Sequence, residues 1–431
     1  MRYNLAVTLG RIVSFVSRYL YKGAGGTWPG EIALRIYPNI LKDLTHKLRK
    51  GVILVAGTNG KTTTSLMIKT IIEYNGYSVV HNASGANLLN GIVSSLIRSP
   101  VVDWGIFEVD ENALTQVIKS IKSVKSKVII VLLNLFRDQL DRYGEVDAIA
   151  DKWKEALSPL TWNSTVIANA DDPLITAICE QLKTKKVYIG IENPILYRKN
   201  MQHATDTIYC PRCGTRLTYG GFYYSHLGKW ACGSCGFTHP DVILSAKDYH
   251  CPIEGIYNQY NAISAAAVGV LLQFEKARIQ SALAAFTPAF GRMERMLVRG
   301  KKVRIVLSKN PTGFNESLQT HLDSKDKGPV LLLLNDRIPD GTDVSWIWDV
   351  DFELLDGQKR EIIISGDRTY DMAVRMKYAL SDMSHVTVSD SLPSALDIAL
   401  SKIEEGETLW ILATYSAMLD VRKIITGKKI L

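Results

Sequence analysis

No apolar run in this 431-residue chain is long enough for a membrane-spanning helix, and its N-terminus has no unbroken signal-type core. Both absences point to a cytoplasmic protein. Cysteine is also scarce. Only six occur, four of them in two C-x-x-C pairs, which argues against a disulfide framework and for metal-bound thiols in a reducing compartment. Acid is nearly missing from the first fifty residues, where nine Lys/Arg stand against Glu31 and Asp43. That balance of +7 is almost the whole of the chain's +8.

What is present is a globular composition, 46% hydrophobic and 22% charged, long enough for two or three domains. In the basic N-terminal stretch, Leu5, Leu9, Ile12, Val16 and Leu20 recur at helical spacing, with Asn4, Thr8, Arg11 and Arg18 mostly on the other side. The spacing predicts a helix packed on its own domain by that apolar face. A cationic surface peripheral to the inner face of a membrane is the alternative reading.

The chemistry begins at V-I-L-V-A-G-T-N-G-K-T-T-T-S, residues 52–65. Val52 to Ala56 reads as a buried strand, and Gly57 and Gly60 permit a tight turn whose backbone N–H groups converge. Lys61 then supplies a point charge for phosphate, Thr62 a hydroxyl for Mg²⁺, and the following helix its positive end. The glycine that opens a full P-loop is replaced by Val55, so this is a shortened variant. It predicts a nucleotide-binding site at Gly57, Thr58, Asn59, Gly60, Lys61, Thr62 and Thr63.

Cys210, Cys213, Cys232 and Cys235 form two knuckles, and the eighteen residues between them suit a β-hairpin. Four thiolates make a closed tetrahedral Zn²⁺ site with no position left for a substrate, so the zinc is expected to be structural. Few Lys/Arg lie on this module, which argues against nucleic acid as its partner.

Strand-like runs alternate with helical patterns around the P-loop and predict a doubly wound parallel sheet with ligands at the strand C-termini. W-G-I-F-E-V-D-E-N (104–112) would end such a strand with Glu108 and Asp110, and S-T-V-I-A-N-A-D-D-P with Asn169, Asp171 and Asp172. Asn258 and Asn261 share one turn of a predicted helix, where capping and nucleobase contact compete. F-T-P-A-F-G-R-M-E-R-M (286–296) reads as an interdomain hinge carrying Arg292. Five further strands follow from Lys301 onwards, a second, Rossmann-like α/β domain. The expected organisation is a basic helical lead-in over 1–50, an ATP-binding domain over 51–295 with a zinc ribbon near 206–240, and a C-terminal Rossmann-like domain over 296–431, to which the resemblance given below adds partner binding.

G-T-N-G-K-T-T, F-E-V-D-E-N, N-L-F-R-D-Q-L-D-R-Y-G, N-A-D-D-P, Y-N-Q-Y-N-A and F-G-R-M-E-R occur here in the order seen in the Mur ligase superfamily, which this chain resembles over roughly residues 35–430. The resemblance implies an ATP- and Mg²⁺-dependent ligase that activates a carboxylate as an acyl phosphate. Thr62 and Glu108 would hold Mg²⁺, Asn258 and Asn261 would lie on the adenine side, and Arg292 would reach phosphate. Three departures narrow it. Only about fifty residues precede the P-loop where a UDP-binding domain would stand. The D-H-L-D segment reads Asp138-Gln139-Leu140-Asp141, and D-Y-A-H-N-P is reduced to Ser308-Lys309-Asn310-Pro311. Lys152 lies near the family's carbamylated lysine.

These departures and the four-cysteine insertion resemble the MurT family, which implies amidation of the D-glutamate α-carboxylate in the stem peptide of lipid II, with ammonia from a glutaminase of the GatD type in a heterodimer. No cysteine here has a plausible histidine partner, so nitrogen release falls to that partner. D-V-S-W-I-W-D-V-D-F-E (343–353) reads as a strand with alternating Trp346 and Trp348. The resemblance implies that Asp349 at its end, rather than Asp343 or Asp351, completes the partner's Cys–His pair. The rival readings are a folylpolyglutamate-synthase-like or other Mur-type amino-acid ligase and, from another class, a zinc-ribbon ATPase binding nucleic acid.

Overall fold

A computed structural model describes residues 1–20, 26–82, 86–121, 126–138, 146–161, 163–198, 200–288, 291–324 and 326–427. Gln139, Leu140 and Asp141 of the D-Q-L-D segment lie outside them.

Strand β1 (Leu48–Ala56) is apolar from Val52 because both its faces are covered, and it pairs in parallel with β3 (Val102–Val109) and β4 (Lys127–Leu132). With β2 (Val79–His81), β5 (Ser164–Asn169), β6 (Lys185–Gly190) and the short β9 (Leu244–Ser245) they form a seven-stranded sheet in the order β2-β3-β1-β4-β5-β6-β9. Its ladders are parallel, so the strand C-termini share one edge. Helices Lys61–Tyr74 and Ile256–Leu271 pack on one face, burying Ile68, Ile71, Ile263 and Val268. The hairpin β7 (Thr218–Tyr224) and β8 (Leu227–Ala231) is inserted between β6 and β9.

A second sheet has the order β10-β11-β15-β12-β13-β14, from β10 (Arg292–Val298), β11 (Lys301–Leu307), β12 (Val330–Leu333), β13 (Ile362–Ser365), β14 (Val386–Val388) and β15 (Thr408–Ala413). The five later strands are parallel; β10 is an antiparallel edge strand on β11. From Arg292 onwards the segment read as a hinge is therefore part of this sheet. The edge position explains the misreading. Glu294 and Met296 are partly exposed and Leu297 is 75% exposed, so no buried face imposes alternation.

Two other expectations are corrected. The Trp-rich segment is no strand but two 3₁₀ turns, Ser345–Asp349 and Phe352–Leu355. Asp343 accepts bonds from both the backbone N–H (2.8 Å) and hydroxyl (2.9 Å) of Ser345, an Asx-type start that turns the chain and sends Ile347 inward. At the N-terminus the helix forms as Arg2–Leu20 and packs on its own domain, yet its inward side is Ala6, Val7, Gly10 and Ser14, while Leu5, Ile12 and Val16 are exposed and Leu9 is half-buried; the side chains of Arg18 and Leu20 lie outside the described residues. Close approach decides this: a Cβ on Gly10 would lie 2.9 Å from Ile97 Cδ1 and 3.2 Å from the Pro29 carbonyl, so only small residues fit beneath.

Candidate active site

The turn after β1 is held open by its surroundings. Gly57 has φ +147°, and a Cβ there would lie 2.8 Å from that of Leu133; Gly60 has φ +92°, and a Cβ would fall 2.2 Å from Asn261 Oδ1. Side chains could occupy neither place. Between them the segment after β4 clamps the loop. Thr58 N–H donates to the Asn134 carbonyl (3.0 Å), Asn59 N–H to Asn134 Oδ1 (2.9 Å), and Phe136 N–H to Thr58 Oγ1 (3.0 Å). Helix Lys61–Tyr74 starts at Gly60 with no side-chain cap, so its first N–H groups and dipole are presented to a ligand, the arrangement that attracts phosphate.

Buried charge gathers at this end. Lys61 Nζ donates to the carbonyls of Gly57 (2.6 Å) and Thr58 (3.2 Å) and to Glu111 Oε2 (3.0 Å). Burial works to raise the Glu111 pKa, but Lys61 and Lys309 outweigh it and hold the carboxyl below its ordinary range. Lys309 comes from the loop after β11 and pairs with Asp138. Burial lowers the affinity of Lys309 for its proton, whereas Asp138 and Glu111 raise its pKa on balance, so the ammonium stays charged. Thr62 Oγ1 donates to Glu108 Oε2 at 2.6 Å, and Arg292 Nη2 donates to Thr62 Oγ1 at 3.2 Å. Asn59 and Asn310 exchange side-chain hydrogen bonds of 3.4 and 3.1 Å, joining the P-loop directly to the C-terminal sheet domain.

The same surfaces form a cleft lined among others by Asn59, Thr63, Asn258, Asn261, Arg292 and Glu316. The two helix asparagines form a relay. Thr64 Oγ1 donates to Asn261 Oδ1 (3.1 Å), Asn261 Nδ2 to Asn258 Oδ1 (3.1 Å), and Asn258 Nδ2 to the Glu254 carbonyl (2.6 Å). Thus the structure brings all seven loop residues, Glu108, Asn258, Asn261 and Arg292 to one place. Glu111 and Lys309 also belong there and were not singled out from sequence. Glu111 is the second polar residue after β3, and Lys309 stood in plain view in Ser308-Lys309-Asn310-Pro311, but its partner Asp138 is 171 residues away. Lys152 is exposed, with Nζ 3.5 Å from Asn112 Oδ1.

Asp171 and Asp172, at the end of β5, do different work. Asp172 caps helix Pro173–Glu180 through the N–H groups of Leu174 (2.9 Å) and Ile175 (3.1 Å). Asp171 takes Tyr260 Oη (2.5 Å) and His239 Nε2 (2.7 Å), fastening the ribbon to the central domain. Trp230 of the ribbon also donates to the Ala170 carbonyl (3.1 Å).

The four cysteines converge at the tip, their Sγ atoms all within 4.8 Å of one another. The pairs Cys210–Cys235 and Cys213–Cys232 are 3.6 and 3.5 Å apart. A tetrahedral ion with Zn–S of about 2.3 Å needs S···S separations of about 3.8 Å, so this set fits Zn²⁺. Two oxygens of unlike type, Thr62 Oγ1 and the buried Glu108 carboxylate, likewise fit a hard cation such as Mg²⁺.

Asp349 stands apart. It closes the Ser345–Asp349 turn with its side chain 42% exposed and 3.4 Å from Arg137 Nη1. Arg137 also pairs with Asp206 and directly follows Phe136, the residue bonded to Thr58 of the loop. Asp351 is used internally, accepting from Asn315 Nδ2 (3.2 Å) and the His203 N–H (3.1 Å), and Asp343 holds Ser345.

Residues 55–269 match the Mur ligase middle domain and residues 307–418 the MurT ligase C-terminal family. The lipid II isoglutaminyl synthase (glutamine-hydrolyzing) subunit MurT of Staphylococcus aureus (strain COL) is 32% identical over 399 residues, covering 88% of each chain. The chain belongs to the MurT family. The like-named subunit of Streptococcus pneumoniae (strain ATCC BAA-255 / R6) is 29% identical, with 99% of this chain and 98% of that one covered. Among solved structures, a pseudomurein peptide ligase type C from Methanothermus fervidus shares the fold at a TM-score of 0.68, with 24% identity over 90% of this chain and 80% of that one. Mur-type ligases use ATP with Mg²⁺, and the MurT relatives are subunits of a complex. No helix among the described residues is long and apolar enough to cross a membrane.

Proposed function

We propose that this MurT-family chain is the synthetase subunit of a lipid II isoglutaminyl synthase. It activates the D-glutamate α-carboxylate of the stem peptide as an acyl phosphate at the expense of ATP. Ammonia from a glutaminase subunit of the GatD type then displaces phosphate and leaves the amide of D-isoglutamine. The observation that carries this reading is the meeting of Lys61 and Thr62 with Glu108, Glu111 and the C-terminal domain's Lys309 in one cluster of charge at the start of helix Lys61–Tyr74.

A carboxylate is a poor electrophile until an oxygen becomes a leaving group, so the residues must gather negative charge and keep water away. The helix N-terminus and loop N–H groups accept the phosphates. Lys61, now folded onto Gly57, Thr58 and Glu111, swings to the β- and γ-oxygens as they arrive, and Glu111 keeps it aimed. Mg²⁺ held by Thr62 Oγ1 and Glu108 would neutralise charge on the transferred phosphoryl group. Asn258 and Asn261, which line the same cleft as Arg292, are assigned to the adenine side, and Arg292 reaches in from the second sheet. Lys309 adds a fixed cation, paired with Asp138, beside this cluster.

Nitrogen arrives from outside. Among the described residues Asp349 is half-exposed and pairs with one cation, Arg137, whereas the carboxylates of Asp343 and Asp351 are taken up by Ser345 and Asn315, which supports Asp349 as the carboxylate that orients an imidazole on the partner. Beside it, Val344, Ile347, Trp348, Tyr370 and Val374 line a shallow groove. Tyr370, Val374 and Tyr378 lie at four-residue spacing on helix Thr369–Ala379, all exposed, with Trp348 edge-on to Tyr378 at 5.6 Å. An aromatic ridge of this kind suits a protein interface. A lipid-linked substrate places the work at the inner face of the cytoplasmic membrane, and the ribbon, with structural Zn²⁺ on Cys210, Cys213, Cys232 and Cys235, stiffens the central domain.

The test is mass analysis of lipid II incubated with the chain, ATP, Mg²⁺ and ammonium, without the glutaminase. Conversion of one carboxylate to a carboxamide with matching ADP is expected. Gain of a glutamate residue instead would establish an amino-acid ligase of the folylpolyglutamate-synthase type. Absence of both ADP and product would remove the reading.

A further inference from the structure

The N-terminal helix carries its apolar residues on the wrong side for a helix that belongs only to this fold. Its inner face, Ala6, Val7, Gly10 and Ser14, is mostly small and is seated on helices Trp28–Ile36 and Leu89–Arg98. Its outer face carries Leu5, Ile12 and Val16, 52%, 50% and 41% exposed. At 100° per residue these three fall within a sector of about 40°, a continuous aliphatic stripe along the helix. Trp28, 66% exposed, opens the next helix (Trp28–Ile36), which packs on the same Leu89–Arg98 helix through Gly30 and Ser94. Nearly all of the chain's positive excess, +7 of +8, lies in these first fifty residues.

We propose that this face is a membrane contact: the Leu5–Ile12–Val16 stripe and Trp28 enter the interface of an anionic lipid bilayer, whose headgroups attract the basic N-terminal segment. Chemistry separates this face from the groove beside Asp349. That surface is flanked by Asp343 and Asp371; this one, which also exposes Phe15, lies in a cationic segment with two acids, as an interfacial helix requires.

Position gives the contact a use, which rests on the proposed lipid-linked substrate. Helix Leu89–Arg98, on which the stripe helix lies, is preceded by a loop tied to the reaction edge. Asn82 Nδ2 donates to the carbonyls of Ala86 (2.9 Å) and Glu108 (2.8 Å), and Asp110 N–H donates to that of Asn87 (3.0 Å). One helix thus joins the lipid-facing surface to the strand end that carries Glu108 and Glu111. A substrate whose lipid stays in the bilayer would meet the site without leaving the membrane.

Flotation of the full chain with vesicles of phosphatidylglycerol or of phosphatidylcholine, without ATP or substrate, tests the contact separately from the chemistry. The chain should float with phosphatidylglycerol, release as salt rises, and lose more than tenfold in affinity in the Leu5→Gln/Ile12→Gln/Val16→Gln variant. The same variant should keep ammonium-driven amidation of a lipid-free substrate analogue. No flotation of the natural chain, or equal flotation of the variant, overturns the proposal. So does a dimer of the natural chain that the variant breaks, or a glutaminase complex that the variant cannot form, because either would name a different occupant for the face.

Discussion

Glu111 and Asp349 are both acids in the loops beyond a parallel sheet, yet their surroundings are opposite. Glu111 is 3% exposed, receives a hydrogen bond from Lys61 and feels the Lys309 ammonium contributed by the other domain. Asp349 is 42% exposed and meets one guanidinium at 3.4 Å. A carboxylate buried between two cations is a fixed counter-charge; removing it leaves ammonium groups without compensation in a poorly solvated place. An exposed carboxylate at the end of a short turn contributes little to the fold and is available to something else. Phosphoryl transfer accordingly belongs inside, where charge can be arranged in advance, and nitrogen delivery belongs on the surface where another subunit can reach. The route between them is short, Asp349 to Arg137, then Phe136 to Thr58 of the loop.

That contrast can be broken at either end. Asp349→Asn in the complex should lower glutamine-driven amidation by about 10⁴-fold, as loss of a triad carboxylate does, with ammonium-driven amidation unchanged. Equal loss with both nitrogen sources would place Asp349 in the synthetase chemistry instead. Lys309→Met should cost about 10²- to 10³-fold with either source, because it removes a preorganised cation from the developing phosphate charge. A rate drop confined to glutamine would show that Lys309 serves the partner. Trp348→Ala should weaken glutaminase binding by about tenfold, ~1.4 kcal/mol, in a titration that leaves ammonium-driven turnover alone.

The smallest effect is on stability. The folded pKa of Glu111 lies below its ordinary 4.5, so its contribution is present above that pH and is lost as pH falls through the lower folded value. Thermal unfolding should therefore separate the natural chain from Glu111→Gln by several degrees at neutral pH, and the gap should close on acidification below about pH 4.5. A gap that persists at low pH would mean that Glu111 acts through packing rather than charge.

Much of this was legible in the residues. The run Val52–Ala56 and the G-T-N-G-K-T-T turn specify their strand, loop and helix locally, and two C-x-x-C knuckles need only each other. The continuous apolar strands of the second sheet were equally plain, because burial on both faces leaves no polar positions. What stayed hidden depends on distant partners or on an absence of burial. Lys309 acquires meaning only from Asp138, and the edge strand at Arg292 has one ladder and a wet side. The period-two tryptophans at 346 and 348 looked like a strand because sequence alternation cannot reveal the Asp343 cap that bends the chain. On the N-terminal helix the period was right and the face was wrong: large apolar residues were assumed to point inward, where Gly10 shows that only small ones fit.

An acyl phosphate made at the interior site before nitrogen arrives hands one carboxylate oxygen to the departing phosphate. This transfer is tested most directly by giving the chain lipid II whose glutamate carboxylate carries heavy oxygen, together with ATP, Mg²⁺ and ammonium, and weighing both products. One heavy oxygen per turnover should appear in the released phosphate and one should remain in the amide. Amide formed with no heavy oxygen in the phosphate would contradict the account.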